Sequence, residues 1–244
     1  MSKKRVLFHL RDLVLASFPS DSHGRTIPIK EKILKIKALK RQPYLLEAEE
    51  LAIIEKEEKT TSSSPYQRDA AVAYAYRHWN NPNRAYPFFG DPGEGGDCTN
   101  FISQCLYAGS MPWVEGPLER YTWAQYWWCK PGATDRDGDR RITLTWKVSS
   151  AFRNHWSKRA TQYSVHTPEE MVAQWSQWWE RLWRGDVIQL TLPDGRPYHS
   201  LLVVKYIDED FHLAAHTYDT IDRSLYGTIQ SFLGTGRKII VYRI

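Results

Sequence analysis

The spacing of apolar side chains changes character near residue 185. Upstream of it they recur with a helical period, and downstream they alternate or run continuously, as in strands. YQRDAAVAYAYRHW (66–79) has the spacing of a helix and is stopped by NNPN (80–83). CTNFISQCLYA carries Phe101, Cys105 and Leu106 or Ala108 on one face and is closed by Gly109. SSAFRNHWSKR (149–159) reads as a further helix. TPEEMVAQWSQWWERLW (167–183) is the best specified, because Thr167, Pro168 and Glu170 form a capping box with proline at the first position. GDVIQLTL (185–192), YHSLLVVKYI (198–207), FHLAAHTYD (211–219) and RKIIVYRI (237–244) then read as strands, the first three joined by the turns PDGR and DED. Helices followed by antiparallel strands predict an α+β fold.

Residues 1–64 are different material. RVLFHLRDLVLASF fits a short amphipathic helix, and YLLEAEELAIIEKEEK (44–59) fits a helix or a strand pair. The polar linker KTTSSSPY (59–66) follows. All 11 tryptophans lie at Trp79 or beyond, and WAQYWW and WSQWWERLW read as walls of a cleft or lid. The expected division is a basic extension or small subdomain over 1–64 and a second domain over 65–244.

Charge sharpens this division. The chain carries +5, and residues 1–64 hold 13 Lys/Arg against 9 Asp/Glu. So modest an excess, with no nucleic-acid-binding motif, argues against a nucleic-acid partner. No run approaches the roughly 18 apolar residues of a membrane span. His9, Arg11 and Asp12 interrupt the N-terminal apolar run, so it fails as an export leader. Three cysteines cannot close a disulfide framework, and the expected compartment is the reducing cytoplasm.

GEGGDCTNFISQCLYAG (93–109) carries the chemistry. A nucleophilic cysteine works as thiolate, which the N-terminus of a helix favours. Glycines before Asp97 allow close approach, Asp97 is a good N-cap, and Cys98 falls in the first turn. An exposed, acidified Cys98 is therefore expected, whereas Cys105, two turns on, reads as a core thiol and Cys129 as structural. Of eight histidines, His199 is best placed as base, at the start of an apolar strand. A hairpin centred on Glu209 sets Asp219 opposite His199, and a tighter turn or a bulge sets His216 there instead. TDRDGDRR (134–141) spaces three aspartates as calcium loops do, but glycine falls at the fourth place and Trp146 at the twelfth. No metal or cofactor is expected.

GGDCTNFISQCLYAG, then GDVI, HSLLVV and AHTYD, together with the leading YQRDAAVAYAYRHWN, resemble the putative amidase domain family of spore-forming Gram-positive bacteria. That family is similar to the NlpC-like papain-fold cell-wall peptidases and to the CHAP amidases. The resemblance covers about 66–244. It implies a papain-like cysteine peptidase core, with the cysteine helix packed on the antiparallel sheet. It also implies hydrolysis of peptide or peptidoglycan-derived amides through an acyl-enzyme. Cys98 would be the nucleophile and His199 the base. His216, or alternatively Asp219, would be the third polar residue, and Tyr86 an aid to the oxyanion site. The competing expectation is a non-catalytic binding or assembly module built on the tryptophan-rich surface.

Overall fold

A computed structural model of the chain describes residues 66–91, 95–134, 137–217 and 219–244, within the second of two units into which the chain divides, Pro65–Ile244. The elements expected in 1–64 lie outside the described residues. Four helices come first: α1 (Arg68–His78), α2 (Cys98–Ala108), α3 (Leu144–Lys147) and α4 (Ser149–Trp156). The rest alternates as β1 (Gln162–His166), α5 (Pro168–Ala173), α6 (Trp178–Arg181), β2 (Val187–Thr191), β3 (Pro197–Ile207), β4 (Asp210–Ala215), β5 (Thr220–Ser224), α7 (Leu225–Gln230) and β6 (Ile239–Arg243). The strands form one antiparallel sheet in the order β1-β6-β2-β3-β4-β5. The fold is α+β.

Both faces of the sheet are covered, which is why β2 is buried along its whole length. One face carries Val187, Leu202, Val204, Ala214, Ile240 and Tyr242 against α1, α2 and α4. The other carries Ile188, Leu190, Leu201, Val203 and Leu213 against Met171 of α5, Trp178 of α6 and Leu225 of α7. β1 and β5, unforeseen in the sequence, are the two edge strands, and QYSVH and TIDRS lack a buried apolar run.

The capping box at Thr167 forms as its sequence predicts. Thr167 Oγ1 accepts from Glu170 N at 3.1 Å, and Thr167 N donates to Glu170 Oε2 at 2.9 Å. The helix does not run on to 183, however. It ends at Ala173 and resumes as α6 after a short turn. The weak helix propensity of Trp and Ser gives way there to a tertiary contact, Trp175 Nε1 donating to Glu209 O at 2.9 Å.

The tryptophan-lined cleft is corrected by the structure. Trp127, Trp128, Trp146 and Trp156 are 2% exposed or less. Trp127 packs on Trp146 (4.6 Å) and edge-on to Trp156 (5.3 Å). Most of this aromatic mass is core, where each ring buries a large apolar area. Trp123, 46% exposed under the Arg120 guanidinium, is an exception. Among the described residues no helix is long and apolar enough to cross a membrane.

A buried ion pair joins α1 to the start of β2. Asp186 has no exposure and accepts from Arg68 Nη1 at 2.5 Å, Trp183 N at 2.7 Å and Ile244 N at 3.1 Å. Arg68 also donates to the carbonyls of Arg184 and Ile244. Burial pushes the Asp186 carboxyl above its ordinary pKa, and Arg68 opposes that rise. Removing the cation leaves an uncompensated buried acid. Arg68→Met is expected to destabilise the fold by about 3–5 kcal/mol, and a urea midpoint compared with wild type checks it. Arg68→Met with Asp186→Asn should recover part of the loss.

Candidate active site

The site grows from the glycine loop. Gly95 (φ 85°) and Gly96 (φ 101°) lie in the left-handed region that glycine tolerates. A side chain on Gly96 would also meet Thr217 Oγ1 at 2.8 Å. Thr217 Oγ1 in turn accepts from Asp97 N at 2.7 Å. Cys98 is then the first residue of α2.

Asp97 occupies the N-cap position without capping through its side chain. Its carboxylate is drawn inward instead. Oδ1 accepts from Phe89 N (3.0 Å) and Asn100 Nδ2 (2.7 Å), while Oδ2 meets His216 Nδ1 at 2.6 Å. Asn100 Nδ2 also donates to Pro87 O at 2.8 Å, which ties the 86–89 loop to the helix.

Cys98 is 4% exposed, contrary to the exposed, acidified thiol that its helix position predicts. Burial raises its pKa above the ordinary thiol value, and the Asp97 carboxylate adds to the rise. The Ser200 N–H and the Thr99 and Ser149 hydroxyls pull the other way. These groups belong to a buried polar network missed in the sequence. Thr99 Oγ1 lies 2.8 Å from Ser149 Oγ and 2.9 Å from Ser200 Oγ. Gln189 Nε2 donates to Ser200 Oγ (2.9 Å) and Ser149 O (3.0 Å), and Tyr242 donates to Gln189 Oε1 (2.6 Å). The available signal was a Gln in VIQLT and a Ser in HSLLVV, polar residues within otherwise apolar strands.

His199 immediately precedes Ser200 in β3. Ser200 points toward α2, so the His199 side chain leaves β3 on the other face, in line with Leu201 and Val203 and opposite Leu190. It is 5% exposed, with Nε2 buried and without a hydrogen-bond partner. Burial, with a smaller contribution from Arg223, lowers its pKa to about 4. Among the described residues no hydrogen bond joins the Cys98 sulfur to this ring.

The other expected residues fall elsewhere. The β3–β4 turn is the pair Asp208–Glu209, both at positive φ, and Val204 is bulged out of the ladder. Leu202 therefore pairs with Ala214, and β4 ends at Ala215. Asp219 stands in an exposed turn before β5, so the register that set it opposite His199 is corrected. His216 leaves the strand toward α2, where Nδ1 meets Asp97 and Nε2 meets His78 O at 2.6 Å. Tyr86 stacks on Trp146 (6.0 Å), and its hydroxyl is pushed up to about 12 by burial and by Cys129 and Tyr107. A cavity of about 470 Å³ opens beside it, lined by Arg84, Tyr86, Pro87, Phe88 and Ala133 among others. Cys105 is fully buried and Cys129 nearly so. No group of His, Cys, Asp and Glu among the described residues is arranged to hold a metal ion.

The fold and site define an α+β domain with cysteine, histidine and aspartate gathered where a helix begins beside a buried strand. The chain belongs to the family described as "Putative amidase domain", whose model matches residues 65–242. It is 33% identical over 158 residues to the uncharacterized protein YhbB of Bacillus subtilis (strain 168), which covers 64% of this chain and 42% of that protein. It is 42% identical over 55 residues to the uncharacterized protein YjcM of the same organism, covering 22% of this chain and 12% of that one. The chain thus spans less than half the length of each of these relatives. No solved structure matches it.

Two outcomes follow for the unliganded protein. Iodoacetamide should label native Cys98 slowly near neutral pH and faster as pH rises, read by peptide mass spectrometry against the urea-unfolded chain. The fold also favours a neutral His199, since its pKa falls from 6.5 to about 4. That stability is complete above pH 6.5 and is lost as pH drops toward 4. It amounts to on the order of 1–3 kcal/mol. His199→Gln should flatten this acid limb in denaturant titrations at pH 7 and pH 4.5.

Proposed function

We propose that this chain is a cysteine-dependent amidase with a papain-like core, acting on peptide or peptidoglycan-derived amides. The observation that carries the reading is the position of Cys98. Its sulfur lies at the first residue of α2, 3.8 Å from Thr99 Oγ1, which in turn bonds Ser200, the residue next to His199 in the chain. His199 suits a general base, being neutral at pH 7 and having a ring nitrogen without a partner.

In the reaction His199 takes the thiol proton, and the thiolate attacks the amide carbonyl carbon. The Cys98 N–H at the start of α2 faces the oxyanion, where aligned helix dipoles favour negative charge. The C–N bond breaks as the imidazolium returns its proton to the leaving amine. Water, deprotonated by the same ring, then hydrolyses the thioester and frees the cysteine. Because the resting thiol is buried and the His199 ring leaves β3 on the face away from α2, the reaction requires the chain at His199 to turn over when substrate binds. The cavity at Arg84, Tyr86 and Phe88 is joined to α2 through the Pro87–Asn100 bond and supplies cationic and aromatic walls for the substrate.

A second reading, a binding module that retains the fold without catalysis, is favoured by two observations: the near-complete burial of Cys98 and the departure of the His199 side chain from β3 on the face away from α2. Incubation with peptidoglycan fragments and a peptide pool, with products read by mass spectrometry, separates the two. The amidase reading expects products from wild type, none from Cys98→Ala, and a kcat lowered roughly 10²–10⁴-fold by His199→Ala. A thioester adduct on Cys98 should be trapped at low pH. Products that persist in Cys98→Ala, or no product from any pool, would sink it.

A further inference from the structure

The site contains a second histidine whose surroundings set its chemical form. His216 is 1% exposed, as is Asp97. Its ring lies flat on Phe101, with centroids 4.0 Å apart and planes 14° from parallel, and edge-on to Phe88. Both nitrogens are engaged at 2.6 Å: Nδ1 by Asp97 Oδ2 and Nε2 by the main-chain carbonyl of His78. A carbonyl oxygen only accepts hydrogen bonds, and so does a carboxylate. A neutral imidazole carries one N–H and satisfies one such partner. The other Asp97 oxygen already receives Phe89 N–H and the Asn100 amide, as an ionised carboxylate would.

We propose that His216 is held as an imidazolium, paired with the Asp97 carboxylate, and that this buried pair is the positioning device for Cys98. It acts on the start of α2 and not on the ring of His199. This rests on the amidase reading only for its kinetic consequences. The pair gathers the end of α1 through His78 O, the 86–89 loop through Phe89 N, α2 through Asn100 and Phe101, and the chain leaving β4 through His216 itself. Asp97 is covalently next to Cys98, so every one of these contacts fixes where the sulfur stands. The Phe101 face beneath the ring suits a cation.

The test begins with the full wild-type chain, ¹⁵N-labelled at histidine, at pH 7. The expected NMR spectrum shows both ring nitrogens of His216 bearing hydrogen, with His216→Gln supplying the assignment. A bare nitrogen at either position, including the case in which the proton resides on Asp97, overturns the proposal. Asp97→Asn, His216→Gln and the double variant are then compared by urea midpoint and by kinetics. The expected coupling is strong, the double variant losing no more stability than the worse single one. Independent, additive losses count against the pair. Each variant should lower kcat roughly 100-fold, as misplacement of a reacting group does, with the pH profile of kcat/KM unshifted. A profile moved by His216→Gln and untouched by Asp97→Asn would mean that His216 orients His199, and the proposal fails. If wild type cleaves nothing, the amidase reading falls, while the spectrum and the stability cycle still decide the charge state.

Discussion

A carboxylate taken out of water must gather donors from whatever the fold can bring to it. Asp97 is the case on which this site depends. It lies in a loop whose glycines leave its direction open, and its donors come from three other segments: Phe89 N, Asn100 Nδ2 and His216 Nδ1. That gathering closes the loop, sets the first turn of α2 and fixes the exit of β4 at once. An exposed N-cap aspartate would have fixed only the helix start. Asp186 performs the same service at the opposite end of α1, and between them the two buried acids hold α1 and α2 on the sheet.

Below Cys98 the logic is different. Thr99, Ser149, Ser200 and Gln189 satisfy one another, and Tyr242 closes the chain of bonds at Gln189 Oε1. A fully connected polar network of this kind rigidifies a core, whereas a partly connected one destabilises it. It also offers donors to the sulfur without offering a permanent positive charge. The resting thiol therefore stays protonated.

Much of the frame was legible in the sequence. The four apolar strands, the capping box at Thr167, the helix beginning at Cys98 and the α+β class follow from periodicity and cap chemistry, which are local. What was not legible depends on partners far along the chain. Asp97 reads as an N-cap because its local sequence favours one, and the structure turns it inward because His216, 119 residues away, competes for the same carboxylate. The exposure of Cys98 was misjudged for a related reason. A helix N-terminus predicts charge stabilisation, but burial outweighs it and raises the thiol pKa. The tryptophans mislead in the opposite direction, since composition does not distinguish a ring lining a cleft from one filling a core.

Register is the other non-local quantity, and here it decides the identity of the neighbours. Alternation along β3 and pairing with β2 place His199 and Ser200 on opposite faces, so no choice of hairpin turn alone brings both beside α2. The tight Asp208–Glu209 turn and the bulge at Val204 then end β4 at Ala215. His216 is thereby released from the ladder at the point where the chain crosses toward Asp97. Were Val204 paired in the ladder, every later residue of β4 would shift by one position, and Leu213 and Ala214 would exchange faces. The apolar cores on both sides of the sheet resist that slip, because Leu213 fits one and Ala214 the other. The placement of His216 against Asp97 is thus secured by packing several residues away, and the polar cluster inherits its geometry from the hydrophobic alternation of β4.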